Sequence, residues 1–265
     1  MSGNAVILVD TGNVADLVRA AGMVAAHCGL PVALIGGLAV TVRLATAHRA
    51  TGDVDLVAES SADLVAEAAG TAAENLVKAK VATRDTEGTS VRLHVGPTKV
   101  EFIETERIAP GAASDVEPES ARLFVLAHRW ALETATPVTI SVADTGLEFE
   151  IPVALPAALV AMKLHSILGR SEDRKRASDA WDIYRLLHAH NSTGEITRAL
   201  AGGPEGIASL ASSSLDRVFL TDVTRTRHWV QGFGDPRWAA VMTDDAVGSV
   251  ARELIDGLDR LADEQ

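Results

Sequence analysis

Residues Pro31–Val57 read PVALIGGLAVTVRLATAHRATGDVDLV, and this stretch decides the fold. An apolar run predicted to be a strand, Val32–Ile35, ends at Gly36 and Gly37, and a helix-like segment, Leu38–Leu44, follows. Backbone amides that no side chain covers can receive a phosphate at such a turn, because the N-terminus of a helix carries partial positive charge. The stretch therefore predicts a phosphate-binding turn.

Two carboxylates close the same stretch, because Asp53 and Asp55 flank Val54 in a segment predicted to be a strand. Side chains at i and i+2 of a strand point the same way, roughly 7 Å apart at about 3.3 Å per residue. Carboxylates that face an interior are costly without a cation, so the pair predicts a site for a divalent metal, Mg²⁺. A phosphate-binding turn beside such a pair is typical of phosphoryl transfer.

Composition narrows the class of protein. The chain has 265 residues, 47% of them hydrophobic, which suits one large core or two modest ones. Its single cysteine, Cys28, cannot form an internal disulfide, and the N-terminus does not read as a signal peptide, so we expect a cytoplasmic protein. The uncharged run between Arg19 and Arg43 is interrupted by Pro31 and several glycines, which argues against a membrane span. A net charge of −12 excludes a protein that coats nucleic acid, and any such contact needs a local basic patch.

Periodicity and turn residues predict two regions of different character. Up to Leu155 we expect helices and strands together: helices at Asn13–Ala26, Leu38–Ala45, Ala62–Val77 (capped by Ser60 or Ser61) and Arg122–Glu133, strands at Val32–Ile35 and Val54–Val57, hairpins within Ser90–Ile103 and Pro137–Val153, and a surface loop at Ala109–Glu119. From Pro156 onward we expect only helices, at Ala157–Leu168, Ala177–His188, Glu195–Leu200 and Val247–Leu261. The predicted domains are therefore 1–155 and 156–265.

These residues resemble a known family. Gly36-Gly37, a helix that carries Arg43, and the segment His48–Asp55 are similar to the first motif of the AbiEii-type nucleotidyltransferase toxins. That family belongs to the DNA polymerase β-like nucleotidyltransferase superfamily and includes proteins similar to the MenT-type tRNA nucleotidyltransferase toxins. A second stretch, Leu159–Ile183, resembles the family's later signature: an apolar helix with one Lys, a basic turn and an Asp-x-x-Asp helix. The resemblance implies an α+β fold, with a polymerase β-like mixed-sheet domain followed by an all-helical C-terminal domain that closes the nucleotide cleft.

The resemblance also implies site residues. Implied catalytic residues are Asp53, Asp55, Lys163 and Asp182, and implied nucleotide contacts are Gly36, Gly37, Arg49, Thr51, Lys163, Arg170 and Asp179. One or two Mg²⁺ ions would be held by Asp53, Asp55 and a third carboxylate on a neighbouring strand, for which Glu101 is the candidate and Glu104 the alternative.

Each assignment in the second stretch has a plainer alternative. Lys163 could extend to solvent along an apolar helix, and Asp179 with Asp182 could form a structural ion-pair network. The basic cluster, defined as Arg170, Arg174, Lys175 and Arg176, could contact a triphosphate or an RNA backbone, or could be a solvated loop.

The function that the resemblance implies is Mg²⁺-dependent transfer of a nucleoside monophosphate from a nucleoside triphosphate to an RNA, the 3′ end of transfer RNA in particular. The protein would be the toxin of a toxin–antitoxin pair and would have an antitoxin protein as a partner. One alternative is transfer to a small antibiotic-like molecule, which the overall acidity favours because such antibiotics are cationic. A second is a catalytically degenerate nucleotide-binding module.

Overall fold

The computed structural model describes residues 4–47, 49–59, 68–85, 91–105, 116, 118–233 and 242–264. The chain divides into two compact units, one of Met1–Ile108 with Ala131–Leu155, the other of Ala109–Trp130 with Pro156–Gln265. The sequence predicted one domain boundary, near Leu155. The structure has that boundary and, in addition, assigns Ala109–Trp130 to the second unit. One helix, Glu119–Thr134, begins in the second unit and ends in the first.

The first unit is built on a mixed sheet. Its strands are β1 (Asn4–Leu8), β2 (Val32–Ile35), β3 (Asp53–Glu59), β4 (Thr83–Arg84), β5 (Arg92–Val95), β6 (Thr98–Thr105), β7 (Thr136–Val142) and β8 (Leu147–Val153). The described residues form eight strands in the order β1-β7-β8-β2-β3-β6-β5-β4. The helices of this unit are α1 (Val14–His27), α2 (Gly36–Leu44) and α3 (Ala68–Lys78).

The burial of individual residues shows how β2, β3 and α1 pack in the first unit. All four residues of β2 are buried, which suits a strand between two neighbours, β3 on one side and β8 on the other. In β3 the alternate residues Val54 and Leu56 are fully buried. Helix α1 packs closely on β8, because a β-carbon at Gly22 would lie 2.2 Å from the Phe149 ring. Strand β3, which carries the two aspartates, therefore lies inside the sheet, between β2 and β6.

The second unit is helical. Its elements are α4 (Glu119–Thr134, shared with the first unit), α5 (Pro156–Gly169), α6 (Asp173–His190), α7 (Glu195–Ala201), α8 (Ile207–Leu215), a π-helical turn (Asp216–Thr221), α9 (Val223–Phe233) and α10 (Asp244–Asp263). From Pro156 to Glu264 the described residues contain no strand, as predicted. No described helix has both the length and the apolar character needed to cross a membrane.

The predicted α+β class is confirmed, and so are β2 and both hairpins. The start of the second predicted helix was wrong: α2 begins at Gly36 rather than Leu38, so the glycines form its first turn. Strands β1 and β4 and helices α8 and α9 were not predicted. The predicted cap at Ser60 or Ser61, the start of its helix at Ala62 and most of the loop at Ala109–Glu119 lie outside the described residues.

Candidate active site

The two aspartates lie on one face of β3. Asp53 and Asp55 are half-buried and alternate with the fully buried Val54, so their side chains point to the face opposite that of Val54. Asp55 lies between Ile35 of β2 and Glu101 of β6 in the strand register. The pair therefore stands where β2 ends and α2 begins.

Gly36 is required at this position for two reasons. Its φ of +68° lies in the left-handed region, which favours glycine. In addition, a β-carbon at position 36 would lie 2.0 Å from Asp55 Oδ2, so the carboxylate occupies the space that any other side chain would fill. The structure thus brings one predicted metal ligand against the first residue of the predicted phosphate-binding turn.

Gly37 faces the two other phosphate ligands predicted in the first unit. A β-carbon at position 37 would lie 2.4 Å from Thr51 Oγ1 and 2.8 Å from a guanidinium nitrogen of Arg49. Arg49 Nη1 donates hydrogen bonds to the carbonyl of Ala50 at 3.0 Å and to Thr51 Oγ1 at 3.3 Å. A hydroxyl, a guanidinium and the amides at a helix N-terminus therefore converge beside Asp55, as an anion site requires.

Arg43 holds α2 in place, a role that sequence reasoning missed. Its Nε donates to the carbonyl of Ala154 at 2.8 Å, and its Nη2 donates to Thr136 Oγ1 at 2.8 Å and to the carbonyl of Val153. These bonds tie the last turn of α2 to the start of β7 and the end of β8. A signal was present, because Arg43 ends a long stretch without Asp, Glu, Lys or Arg.

Glu101 lies on β6 opposite Asp55 and on the same face. It forms ion pairs with Lys99 Nζ at 2.6 Å and with Arg92 Nε at 2.7 Å. Burial works to raise the pKa of Glu101, but Lys99 and Arg92 hold the pKa below its ordinary value. These two cations already compensate the carboxylate, so its role as a third metal ligand stays a prediction.

The alternative third carboxylate is placed differently. Glu104 pairs with Ala58 in the register, so it points to the face opposite that of Asp55. Within the described residues, no three His, Cys, Asp or Glu side chains group closely enough to hold a metal. The donor set that fits Mg²⁺ is the pair Asp53 and Asp55, two hard carboxylates beside a turn that has no side chains.

The predicted residues of the second unit form an ion-pair network. Lys163 Nζ lies 2.8 Å from Asp179 Oδ1 and 2.9 Å from Asp182 Oδ2, and Arg170 Nη1 lies 2.8 Å from Asp179 Oδ2. Both aspartates are fully buried, and the lysine is 8% exposed. The charges of Lys163 and Arg170 thus compensate the buried carboxylates of Asp179 and Asp182.

The basic cluster has acidic neighbours of its own. Lys175 pairs with Glu172 at 3.1 Å, and Arg176 approaches Asp173 at 3.9 Å. Arg170 is engaged with Asp179, while Arg174 is exposed. Because acids offset most of this positive charge, its attraction for an RNA backbone is weaker than the sequence alone indicates.

The contact between Gly36 and Asp55 gives a prediction. Gly36→Ala introduces left-handed backbone strain and forces the Asp55 carboxylate out of place, so we expect the nucleotidyl transfer that the resemblance implies to fall at least about 100-fold. We expect the free energy of unfolding to fall by about 1–3 kcal/mol. Pyrophosphate release and urea unfolding measure the two effects.

The matched control is Gly96→Ala. Gly96 also has a positive φ, +58°, but no atom lies within 4 Å of a β-carbon there. This variant should lose similar stability and keep full activity. Equal activities for the two variants would contradict the role given to the contact.

Residues 20–203 match the family described as nucleotidyl transferase AbiEii toxin, type IV toxin–antitoxin system. The chain belongs to this family. The match spans the turn at Gly36, the β3 aspartates and the Lys163 network. Membership of this family identifies the chain as a nucleotidyltransferase. The family resemblance inferred from the sequence is thereby confirmed.

The chain also matches several solved structures at low sequence identity. An antigenic nucleotidyltransferase-like protein from Paracoccidioides brasiliensis is 18% identical, with a TM-score of 0.45 over 73% of this chain and 88% of that one. ANT(2")-Ia in complex with adenylyl-2"-tobramycin is 15% identical, with a TM-score of 0.42 over 78% and 99%. JHP933 from Helicobacter pylori is 15% identical, with a TM-score of 0.41 over 95% and 94%. No curated protein sequence matches the chain.

Proposed function

We propose that this AbiEii-family enzyme transfers a nucleoside monophosphate from a nucleoside triphosphate to the 3′ end of an RNA, transfer RNA foremost, as the toxin of a toxin–antitoxin pair. The observation that carries the chemistry is the Asp55 carboxylate packed against Gly36, next to Gly37, Thr51 and Arg49. Family membership supports the toxin role and an antitoxin protein as partner. An acceptor of this kind implies action in the cytoplasm.

In this proposal, different residues of the first unit bind the phosphates and the metal. The amides of the turn at Gly36 and Gly37, the Thr51 hydroxyl and the Arg49 guanidinium bind the phosphate tail and orient it. Asp53 and Asp55 would hold Mg²⁺, which would neutralise charge on the phosphates and acidify the acceptor hydroxyl. The acceptor oxygen attacks the α-phosphorus in line, the bond to pyrophosphate breaks, and one aspartate accepts the hydroxyl proton.

Lys163, Arg170, Asp179 and Asp182 stay predicted site residues. In their network, the ammonium group of Lys163 lies 2.8 Å from a carboxylate oxygen of Asp179 and 2.9 Å from one of Asp182. Arg170 is 40% exposed at its side chain, so part of its guanidinium is accessible to a phosphate. Glu101 is proposed as a further metal ligand that would have to share its charge with Lys99 and Arg92.

The experiment is incubation with each α-labelled nucleoside triphosphate and Mg²⁺, offering either total transfer RNA or a panel of aminoglycosides. We expect label in the RNA. Label in the aminoglycosides instead would establish the small-molecule alternative, which the net charge of −12 favours. Absence of pyrophosphate release with every acceptor would leave the degenerate nucleotide-binding module as the better account.

A further inference from the structure

The side chain of Asn13 reaches from the start of α1 to the segment that precedes β3. Its Nδ2 donates a hydrogen bond to the carbonyl oxygen of Thr51 at 2.8 Å, across 38 residues of sequence. Thr51 and Arg49 are the side chains that face Gly37. Asn13 therefore bonds to the backbone of the segment that carries two proposed phosphate contacts.

Asn13 stands directly before α1, at the position where an Asn side chain usually caps the helix. An Asn directly before a helix ordinarily accepts a hydrogen bond from the first turn, but Asn13 makes no such capping bond. The carboxylate of Asp10 accepts from the Ala15 amide at 3.3 Å in its place. The Asn13 side chain thus donates to the Thr51 carbonyl and does not cap the helix.

Packing alone supports this segment only in part. A cavity of about 370 Å³ adjoins it, lined on the helix side by Leu17, Leu38 and Thr41 and on the segment side by Ala47, Ala50 and Thr51. The described residues of this segment are exposed or half-buried, so fewer van der Waals contacts fix their position than in the core. The hydrogen bond from Asn13, directly before α1, is then one of the contacts that hold Thr51, together with the bond from Arg49 Nη1 to Thr51 Oγ1.

We propose that Asn13 is a positioning residue for the phosphate tail of the nucleotide. It holds the carbonyl of Thr51 so that the Thr51 hydroxyl and the Arg49 guanidinium stay directed at Gly37. This inference rests on the proposed function, because it takes that face of Gly37 to be where the phosphates bind. Asn13 itself acts only through Thr51.

The first test is Asn13→Ala in the full-length protein. We expect KM for the nucleoside triphosphate to rise about fivefold with kcat within about twofold, since a ground-state contact is loosened. The matched control is Asn75→Ala, which removes a similar bond, from Asn75 Nδ2 to the Cys28 carbonyl at 3.2 Å. That variant should lose comparable stability with no change in KM, and a KM change equal to that of Asn13→Ala would overturn the proposal.

The second test is coupling to Thr51. In a background that lacks both phosphate contacts, Thr51→Ala with Arg49→Ala, the substitution Asn13→Ala should raise KM much less than it does in the wild type, whereas purely additive effects would overturn the proposal. If the proposed function is wrong, the wild-type protein will label no acceptor, which is a different result from either outcome above. Affinity for a non-hydrolysable triphosphate, measured by calorimetry, then decides: a fivefold loss in Asn13→Ala supports the positioning role, and equal affinities or no binding reject it.

Discussion

Replacement of Asp53 by Asn should lower nucleotide transfer by about 10³-fold or more while leaving the protein as stable as before or slightly more stable. The amide is isosteric with the carboxylate but is a poor ligand for Mg²⁺. Without metal, Asp53 and Asp55 repel each other from one face of β3, and the substitution relieves that repulsion. Pyrophosphate release and thermal unfolding, each with and without Mg²⁺, measure both effects.

The matched control for this variant is Glu59→Gln. Glu59 lies on the same strand and the same face, six residues along and so about 20 Å away. It should keep both its activity and the rise in melting temperature that Mg²⁺ gives the wild type, whereas Asp53→Asn should lose that rise. A variant Asp53→Asn that unfolds would show that the aspartate is a structural residue, and one that still transfers nucleotide would show that it is not a required metal ligand.

The parts of the fold that the sequence predicted are those set by short-range rules. Asp53 and Asp55 share a face because strand side chains alternate, and the hairpin at Gly96 follows from a glycine and a proline between two alternating runs. Strand β1 gave no such signal. It is five residues long and pairs in parallel with β7, more than 130 positions away along the chain, so nothing local to Asn4–Leu8 specifies its partner.

The site was predictable in its residue types and less so in its contacts. The motif identified Gly36 and Asp55, but their close approach depends on α2 beginning at the glycine itself. The charge of Glu101 is compensated by Lys99, two residues away on the same strand, and by Arg92, which the register of β5 with β6 places opposite it. The Arg92 pairing is set by strand register, which no spacing within one segment specifies.

Lys163→Met should destabilise the second unit strongly, by about 3–5 kcal/mol in the free energy of unfolding. The reason is that Asp179 and Asp182 are fully buried and both lie within 2.9 Å of the Lys163 ammonium group. Its removal leaves Asp182 without that buried cation and Asp179 with Arg170. Urea unfolding at neutral pH measures the loss, with Lys175→Met as the control, since its exposed pair with Glu172 contributes about 1 kcal/mol or less.

A double variant separates the two roles that Lys163 could have. Lys163→Met combined with Asp182→Asn removes opposite charges together, so it should recover about 1–3 kcal/mol of what the single variant loses. If Lys163 served only to compensate the carboxylates, this recovered protein would also transfer nucleotide. If Lys163 or Asp182 takes part in the transfer, as the family resemblance implies for both, the double variant will be stable and inactive. Stability restored without activity is the outcome we expect, because a buried ion pair is a costly means of stabilising a helix pair that apolar side chains could hold together.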